Sequence, residues 1–144
     1  MNLPNAETLF ETLAERIKPL IKANTAIVGI HSGGAWLTER LLPLLGKNLE
    51  HGILDVSFYR DDFNERGLHS ETKPSQIPFD VQDKHIILID DVFYTGRTIR
   101  AAMNELFDYG RPASITLAVL VNRGGRELPI RADFVGKNLP TARE

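Results

Sequence analysis

Hydrophobic positions change their spacing several times along the chain, and each change predicts a new element. Apolar residues between positions 9 and 20 recur every three or four residues, which is the spacing of one helix face. Residues 25–30 form a short β-rich run, and helical spacing resumes between residues 36 and 45. A strand, a loop of small residues and a helix therefore follow the first helix.

The same alternation continues through the rest of the chain. Residues 49–59 are a second extended candidate, and residues 86–89 form a continuous apolar run, as expected for a central parallel strand covered on both faces. A helix face follows from residue 98, and residues 114–121 are the next strand. The pattern predicts an α/β fold, an open and mostly parallel twisted sheet flanked by helices, with ligands outside the carboxyl ends of the strands.

Residues 60–78 lose all periodicity and are rich in Gly, Ser, Pro and charge. A stretch of this length is longer than a passive connection usually is, which indicates a functional loop or a β-ribbon. A short extended piece around residues 132–135 could pair with it as a small subdomain over the site. We expect a single domain over residues 1–144, with a hood formed by about 60–80 and 126–144.

Composition excludes several classes of function. The formal net charge of −2 argues against a chain dominated by generic nucleic-acid affinity, so no DNA partner is expected, although a local basic face on a dimer stays open. There is no cysteine, and no apolar run approaches the roughly 20 residues of a membrane span. The amino terminus lacks the features of a secretory signal, and a cytoplasmic location is the expectation.

The stretch from residue 86 to residue 98 carries the most specific chemistry. Asp90 and Asp91 follow the apolar run, and a Thr-Gly-x-Thr loop from Thr95 to Thr98 then opens a helix. The first amides of a helix have no intrahelical partners, and with the helix dipole and two hydroxyls they form an anion cradle. Carboxylates beside such a cradle suit a ligand that also carries hydroxyls or a divalent cation. A ribose 5-phosphate satisfies both requirements.

Two other interpretations of this stretch fit its residues less well. The first is a solvated strand end followed by an ordinary helix cap, but a cap needs one such residue and this loop has several. The second is another phosphate motif, but the chain lacks the Gly-x-x-x-x-Gly-Lys pattern, and its other glycines have the wrong spacing for Gly-x-Gly-x-x-Gly.

The motif Asp90-Asp91-Val92-x-x-Thr95-Gly96-x-Thr98 after four aliphatic residues resembles the phosphoribosyl-pyrophosphate motif of type I phosphoribosyltransferases. Its particular form is similar to that of the pyrimidine operon regulatory protein and uracil phosphoribosyltransferase family. The resemblance spans about residues 26–143. Other segments that agree with that family are residues 54–62, 110–113, 117–121, 126–130 and 133–138.

The resemblance implies the reaction of uracil with phosphoribosyl pyrophosphate to give UMP and pyrophosphate, with Mg²⁺ carried by the substrate near Asp90 and Asp91. It implies catalytic roles for these two residues and for Arg60. The implied ligand contacts are Tyr94, Thr95, Gly96, Arg97 and Thr98 for the 5-phosphate, His31, Ser32, Gly33 and Arg60 for the pyrophosphate, and Phe134, Val135, Gly136 and Arg123 for the base. A homodimer or higher homo-oligomer is expected.

Two positions depart from relatives. The loop from His31 to Gly34 lacks the Arg that regulator relatives usually carry, which predicts weaker pyrophosphate binding. Tyr94 stands where purine members commonly have an Asp, which favours a pyrimidine base. Three functions stay open: a uracil phosphoribosyltransferase that also senses UMP, an RNA-binding attenuation regulator of a leader mRNA with weak or no catalysis, and a purine phosphoribosyltransferase. Surface, turn or packing roles are the alternatives for Arg60, Gly33, Arg123 and Phe134.

Overall fold

Strands and helices alternate along the chain as the hydrophobic pattern predicts. The computed structural model describes residues 6–46, 49–56 and 75–138. Its elements in chain order are α1 (Ala6–Ile17, followed by a short 3₁₀ turn at Lys18–Leu20), β1 (Thr25–Ile30), α2 (Gly33–Leu45), β2 (Glu50–Leu54), β3 (His85–Phe93), α3 (Arg97–Phe107), β4 (Ser114–Asn122) and β5 (Phe134–Asn138).

The five strands form one sheet in the order β2-β1-β3-β4-β5, and every neighbouring pair is parallel. Strand β3 lies at the centre, between β1 and β4. All carboxyl ends therefore meet at one edge, called the carboxyl edge below, and in such folds ligands bind there. The predicted α/β fold with a parallel sheet is confirmed.

Helices cover both faces of the sheet, as the buried residues of β3 require. Ile87 and Ile89 point to the face covered by α1 and α2, whereas Ile86 and Leu88 point to the face covered by α3. All four side chains are buried, in agreement with a central strand whose neighbouring side chains alternate between two faces. None of the helices in the described part of the chain is long and apolar enough to cross a membrane.

Two glycines allow α2 to begin directly on the sheet. A Cβ atom on Gly29 of β1 would lie 2.5 Å from the carbonyl oxygen of Gly34, and one on Gly34 would overlap the carbonyl oxygen of Ile89 in β3. The first turn of α2 is therefore packed backbone to backbone over β1 and β3. This contact fixes the loop of residues 31–33 at the carboxyl edge.

Strand β3 is longer than the apolar run that predicts it. Its pairing with β1 ends at Gly29 and Ile89, but pairing with β4 continues as far as Phe93 and Asn122. The expectation that Asp90 and Asp91 follow the end of the strand is therefore wrong in its boundary. Both carboxylates belong to an extension of the sheet that β3 forms with β4 and β5, because β1 turns away before α2.

The segment around residue 134 joins the main sheet. Strand β5 pairs in parallel with β4. The suggested pairing of this piece with residues 60–78 lies largely outside the described residues. The last residues of the irregular region do reach the sheet, because Ile53 and Gln76 form an antiparallel bridge. The hood predicted over residues 60–80, with Arg60, lies largely outside the described residues.

Candidate active site at the carboxyl edge

Asp90 and the loop that follows β3 line a common cavity. The cavity has a volume of about 110 Å³, and Asp90, Thr95, Gly96 and Thr98 are among its lining residues. The Asp90 side chain is nearly buried, and its Oδ1 accepts a hydrogen bond from the Asp91 amide at 2.9 Å. A fixed carboxylate thus faces the same small space as the hydroxyls of the Thr-Gly-x-Thr loop.

Asp91 points the other way, toward the loop before α2. A Cβ atom on Gly33 would overlap the Asp91 carboxylate, so the carboxylate lies directly against the backbone of that loop. Its Oδ1 accepts a hydrogen bond from the Val92 amide at 2.8 Å. Because successive side chains of a strand face opposite sides, the two carboxylates serve two different loops rather than one.

Residues 94–98, which comprise the loop after β3 and the first two residues of α3, have the backbone of an anion cradle. Gly96 has a φ of +98°, in the left-handed region that favours glycine. The Thr95 hydroxyl accepts a hydrogen bond from the Arg97 amide at 3.1 Å, and helical bonding begins with the Arg100 amide donating to the Gly96 carbonyl at 2.9 Å. The amino terminus of α3 therefore opens into the cavity beside Asp90, in the geometry that suits a phosphate group.

A second loop, residues 123–130, packs over this cradle and is called the cover loop below. The Thr95 carbonyl accepts hydrogen bonds from the amides of Glu127 at 2.8 Å and Leu128 at 3.2 Å. The Arg97 Nε also donates to Glu127 Oε1 at 2.9 Å, although both side chains are more than half exposed. Exposed ion pairs contribute little to stability. The two main-chain hydrogen bonds to the Thr95 carbonyl are therefore the contacts that hold the cover loop on the cradle.

Tyr94 and Arg123 stack on each other where the two loops meet. The Arg123 guanidinium carbon lies 4.1 Å from the centroid of the Tyr94 ring. A Cβ atom on Gly125 would lie 2.6 Å from Cε1 of the ring, so the ring rests on bare backbone. Sequence analysis missed this contact, and the only signal for it was an Arg-Gly-Gly triplet after a core strand.

The predicted pyrophosphate loop lies beside Asp91. His31 continues the direction of β1, and its amide donates to the Leu54 carbonyl at 2.7 Å. The His31–Ser32 peptide bond is cis, and the Ser32 carbonyl accepts the first α2 hydrogen bond, from the Trp36 amide at 3.1 Å. His31, Ser32 and Gly33 are therefore brought together with Asp91, whereas Arg60 lies outside the described residues.

A larger cavity of about 420 Å³ lies between β3, β4 and β5. Val135 lines it, but Phe134 belongs to the opposite face, where it packs against the hydrophobic cluster under α1 and α2. Gly136 allows close approach to β4, since a Cβ atom there would lie 2.6 Å from the Leu120 carbonyl oxygen. Sequence analysis missed most of the lining, which also includes Phe93, Asn122, Arg126, Arg131, Ala132 and Asn138.

The carboxylates at this edge suit a cation that is bound mainly by a substrate. Magnesium is usually held by one or two carboxylates together with phosphate oxygens and water. Among residues 6–46, 49–56 and 75–138 there is no group of three or more His, Asp or Glu side chains that could hold a metal ion. Asp90 and Asp91 fit a magnesium ion that arrives with a phosphorylated ligand.

Comparison with known proteins shows that this parallel sheet, with two carboxylates at its carboxyl edge, is a phosphoribosyltransferase domain. Residues 2–141 match the model of the phosphoribosyl transferase domain. Solved structures of similar fold include a hypoxanthine-guanine phosphoribosyltransferase from Bacillus anthracis, with a TM-score of 0.77 and 17% identity over 98% of this chain and 85% of that one. A hypoxanthine phosphoribosyltransferase from Staphylococcus aureus has a TM-score of 0.75 and 21% identity over 98% and 78%. These likenesses show the fold alone.

Relatives with higher sequence identity show to which group of phosphoribosyltransferases the chain belongs. The chain is 52% identical to the bifunctional protein PyrR of Nitrosococcus oceani, over 99% of this chain and 86% of that protein. It is 49% identical to the bifunctional protein PyrR of Pseudomonas aeruginosa, over 100% and 87%. The chain therefore belongs to the phosphoribosyl transferase domain family, and within it to the group of PyrR proteins. The resemblance to type I phosphoribosyltransferases and to the pyrimidine operon regulators is confirmed.

Proposed function

We propose that this protein transfers the 5-phosphoribosyl group of phosphoribosyl pyrophosphate to uracil, releasing pyrophosphate and forming UMP. One observation carries the proposal. Asp90 shares a cavity with the cradle of residues 94–98, while Asp91 lies against Gly33 at the first position of α2. A phosphate cradle, two carboxylates and a second amide-bearing loop are the partners that a ribose with phosphate groups at both ends requires.

The 5-phosphate is assigned to the amino terminus of α3. Four of the proposed contacts, Tyr94, Thr95, Gly96 and Thr98, line this cavity, and the fifth, Arg97, is the first residue of the helix. The helix dipole favours a dianion there. Asp90 then accepts a hydrogen bond from one ribose hydroxyl, and Asp91 from the other. Charge-assisted hydrogen bonds of this kind are short and directional, so they fix the sugar ring as well as bind it.

The pyrophosphate is assigned to His31, Ser32 and Gly33, with Arg60 as a further contact. Asp91 lies between this loop and the ribose position, so the site suits a magnesium ion held by the ligand's own oxygens with Asp90 and Asp91 nearby. When bound, magnesium neutralises charge on the departing pyrophosphate. Gly33 leaves room for the Asp91 carboxylate and for close approach of the ligand to the backbone.

The reaction breaks the bond between C1 of the ribose and the pyrophosphate oxygen, and forms a bond from C1 to a ring nitrogen of uracil. Positive charge develops on the sugar during this exchange. The protein contributes by holding the reacting atoms in line and by placing carboxylates near the developing charge, and no covalent nucleophile is required. The uracil nitrogen is acidic enough to need little help in losing its proton.

The base is assigned to the β5 side, with Phe134, Val135, Gly136 and Arg123 as its contacts. Val135 lines the 420 Å³ cavity, which supports the assignment of the base to this cavity. The Phe134 side chain packs on the opposite face of the sheet, so its contact with the base would be through the ring edge or the backbone. Tyr94 offers no carboxylate to a purine ring, which favours a pyrimidine. Uracil, phosphoribosyl pyrophosphate and UMP are therefore the proposed ligands.

Turnover with a panel of nucleobases tests the assignment. Wild-type protein is expected to form UMP from uracil and phosphoribosyl pyrophosphate in the presence of Mg²⁺, with hypoxanthine and guanine much slower. The double variant Asp90→Asn with Asp91→Asn keeps the size of both side chains and is expected to lose turnover. Circular dichroism of the variant controls for folding. Folded wild-type protein that turns over none of the bases would overturn the proposal.

A second function, binding of a leader mRNA with UMP as the signal, is favoured by local charge. Arg126 and Arg131 are exposed and line the same cavity, so two guanidinium groups lie close to one another in a chain of net charge −2. Arg16 of α1 is also exposed near this side of the sheet, where it donates to the Val135 carbonyl at 2.7 Å. Nucleic-acid binding driven by phosphate contacts is salt-dependent. A UMP-enhanced gel shift with the leader RNA of its own pyrimidine operon tests this function, and its absence at low salt would reject it.

A cytoplasmic location and a homodimer or higher homo-oligomer stay predictions. Size-exclusion chromatography with light scattering, run with and without UMP, tests the second.

A further inference from the structure

Tyr94 contributes a ring to the contact between the phosphate cradle and the cover loop. Its two chain neighbours are held by main-chain hydrogen bonds, because the Phe93 carbonyl accepts from the Arg123 amide at 2.9 Å and the Thr95 carbonyl accepts from the Glu127 and Leu128 amides. The Tyr94 ring is thereby fixed between them. It lies on the backbone of Gly125 on one side and meets the Arg123 guanidinium at 4.1 Å.

We infer that Tyr94 is a positioning residue for Arg123, holding its guanidinium beside the 420 Å³ cavity that Phe93 and Asn122 line, and that the pair selects a base that presents a carbonyl oxygen there. The inference rests on the proposed function. It assigns this task to the Tyr94 ring, whereas the 5-phosphate contact proposed above falls to the Tyr94 backbone.

The backbone brings Arg123 to the cavity but leaves the direction of its side chain open. Phe93, which bonds the Arg123 amide, and Asn122, its neighbour in the chain, both line the cavity. A long exposed side chain at this position has many rotamers, and the Tyr94 ring selects among them. A cation over an aromatic face at an exposed site gains about 0.5–1 kcal/mol, which corresponds to about a two- to fivefold effect on an equilibrium.

Gly125 is part of the same arrangement. Its φ of +78° lies in the left-handed region, and any side chain there would collide with the Tyr94 ring. The ring can lie flat only because the cover loop has no side chain at this position. The Arg-Gly-Gly triplet thus supplies both the cation and the surface on which the ring rests.

The chemistry of arginine makes the pair selective. A guanidinium has five N–H donors and no acceptor, so it binds a base edge only where the base has an acceptor. Uracil has carbonyl oxygens at positions 2 and 4, whereas cytosine has an amino group at position 4. An amino group facing Arg123 would leave two donors opposed, which penalises cytosine.

A double-mutant cycle with steady-state kinetics tests the inference. Tyr94→Leu is expected to raise KM for uracil about two- to fivefold, with KM for phosphoribosyl pyrophosphate unchanged and a smaller uracil-to-cytosine ratio. Tyr94→Phe keeps the aromatic face and is expected to keep the wild-type uracil-to-cytosine ratio. Tyr94→Leu combined with Arg123→Met is expected to be no worse than Arg123→Met alone, because the Tyr94 ring then has no cation to place.

Three results would overturn it. If Tyr94→Leu changed KM equally for uracil and for phosphoribosyl pyrophosphate, the Tyr94 side chain would contribute to 5-phosphate binding and not specifically to the base. Additive effects of the two substitutions would show that the residues act independently. Wild-type protein without turnover on uracil would overturn the proposed function and this inference together, whereas wild-type turnover with additive variants overturns the inference alone. Circular dichroism and thermal unfolding of each variant control for folding.

Discussion

The carboxylate of Asp91 lies directly against the backbone of Gly33, although 58 positions separate them in the sequence. This contact joins the extension of β3 to the loop before α2. It places a negative charge at the point where the proposed ribose and pyrophosphate positions meet. The arrangement depends on the absence of a side chain at position 33.

Gly33→Ala should therefore abolish most activity while leaving the fold intact. The added methyl group would overlap the Asp91 carboxylate and displace it, and a misplacement of about 1 Å in a catalytic site costs on the order of 10²-fold in rate. We expect kcat/KM for phosphoribosyl pyrophosphate to fall by about that factor. Glu39→Ala, at an exposed position in the same helix, is the matched control. A folded Gly33→Ala variant within twofold of wild type would contradict this.

Gly34→Ala should act on stability. Its Cβ atom would overlap the Ile89 carbonyl oxygen, which belongs to a buried central strand and has no freedom to move. Overpacking of this kind costs about 1–3 kcal/mol. The midpoint of chemical denaturation should fall accordingly, with the slope unchanged. An unchanged midpoint would mean that α2 does not begin on the sheet as described.

Two substitutions at Glu127 distinguish the side-chain contact from the main-chain contact between the cover loop and the cradle. Glu127→Ala removes only an exposed ion pair with Arg97 and should change stability by less than about 1 kcal/mol. Glu127→Pro also removes the amide that donates to the Thr95 carbonyl, and it should raise KM for phosphoribosyl pyrophosphate. Equal kinetic effects of the two variants would show that the ion pair, and not the main-chain bond, holds the cradle.

Arg126 and Arg131 should govern the salt dependence of RNA binding, if the protein binds its leader RNA. Each phosphate contact removed lowers the slope of log K against log salt by about 1. Arg126→Ala and Arg131→Ala should each do so, whereas Arg111→Ala, an exposed arginine just before the amino end of β4, should not. Identical slopes for all three variants would place the RNA elsewhere.

Much of the architecture could be predicted because it follows from local pattern. Strand β1 has the predicted bounds, since a β-rich run is followed by small residues that release the chain. The central position of β3 follows from its four aliphatic residues, which only a strand covered on both faces can bury. The extension of β3 could not be predicted, because its stability comes from pairing with β4 and its sequence begins with two polar residues.

The site residues could be predicted where they belong to one contiguous segment. They could not be predicted where the site forms between segments that are distant in the sequence. Residues 90–98 are contiguous, and their chemistry can be inferred directly from the motif. The opposite directions of Asp90 and Asp91 depend on strand geometry beyond the apolar run. The stack of Tyr94 on Arg123 and the lining of the larger cavity arise only when β4 and β5 pair beside β3.

The most direct test of the central claim is a crystal structure of the protein with phosphoribosyl pyrophosphate and Mg²⁺. We predict the 5-phosphate at the amides of residues 95–98, the ribose hydroxyls on Asp90 and Asp91, and the pyrophosphate beside Gly33. Density for the ligand elsewhere, with the cradle next to Asp90 empty, would contradict the account.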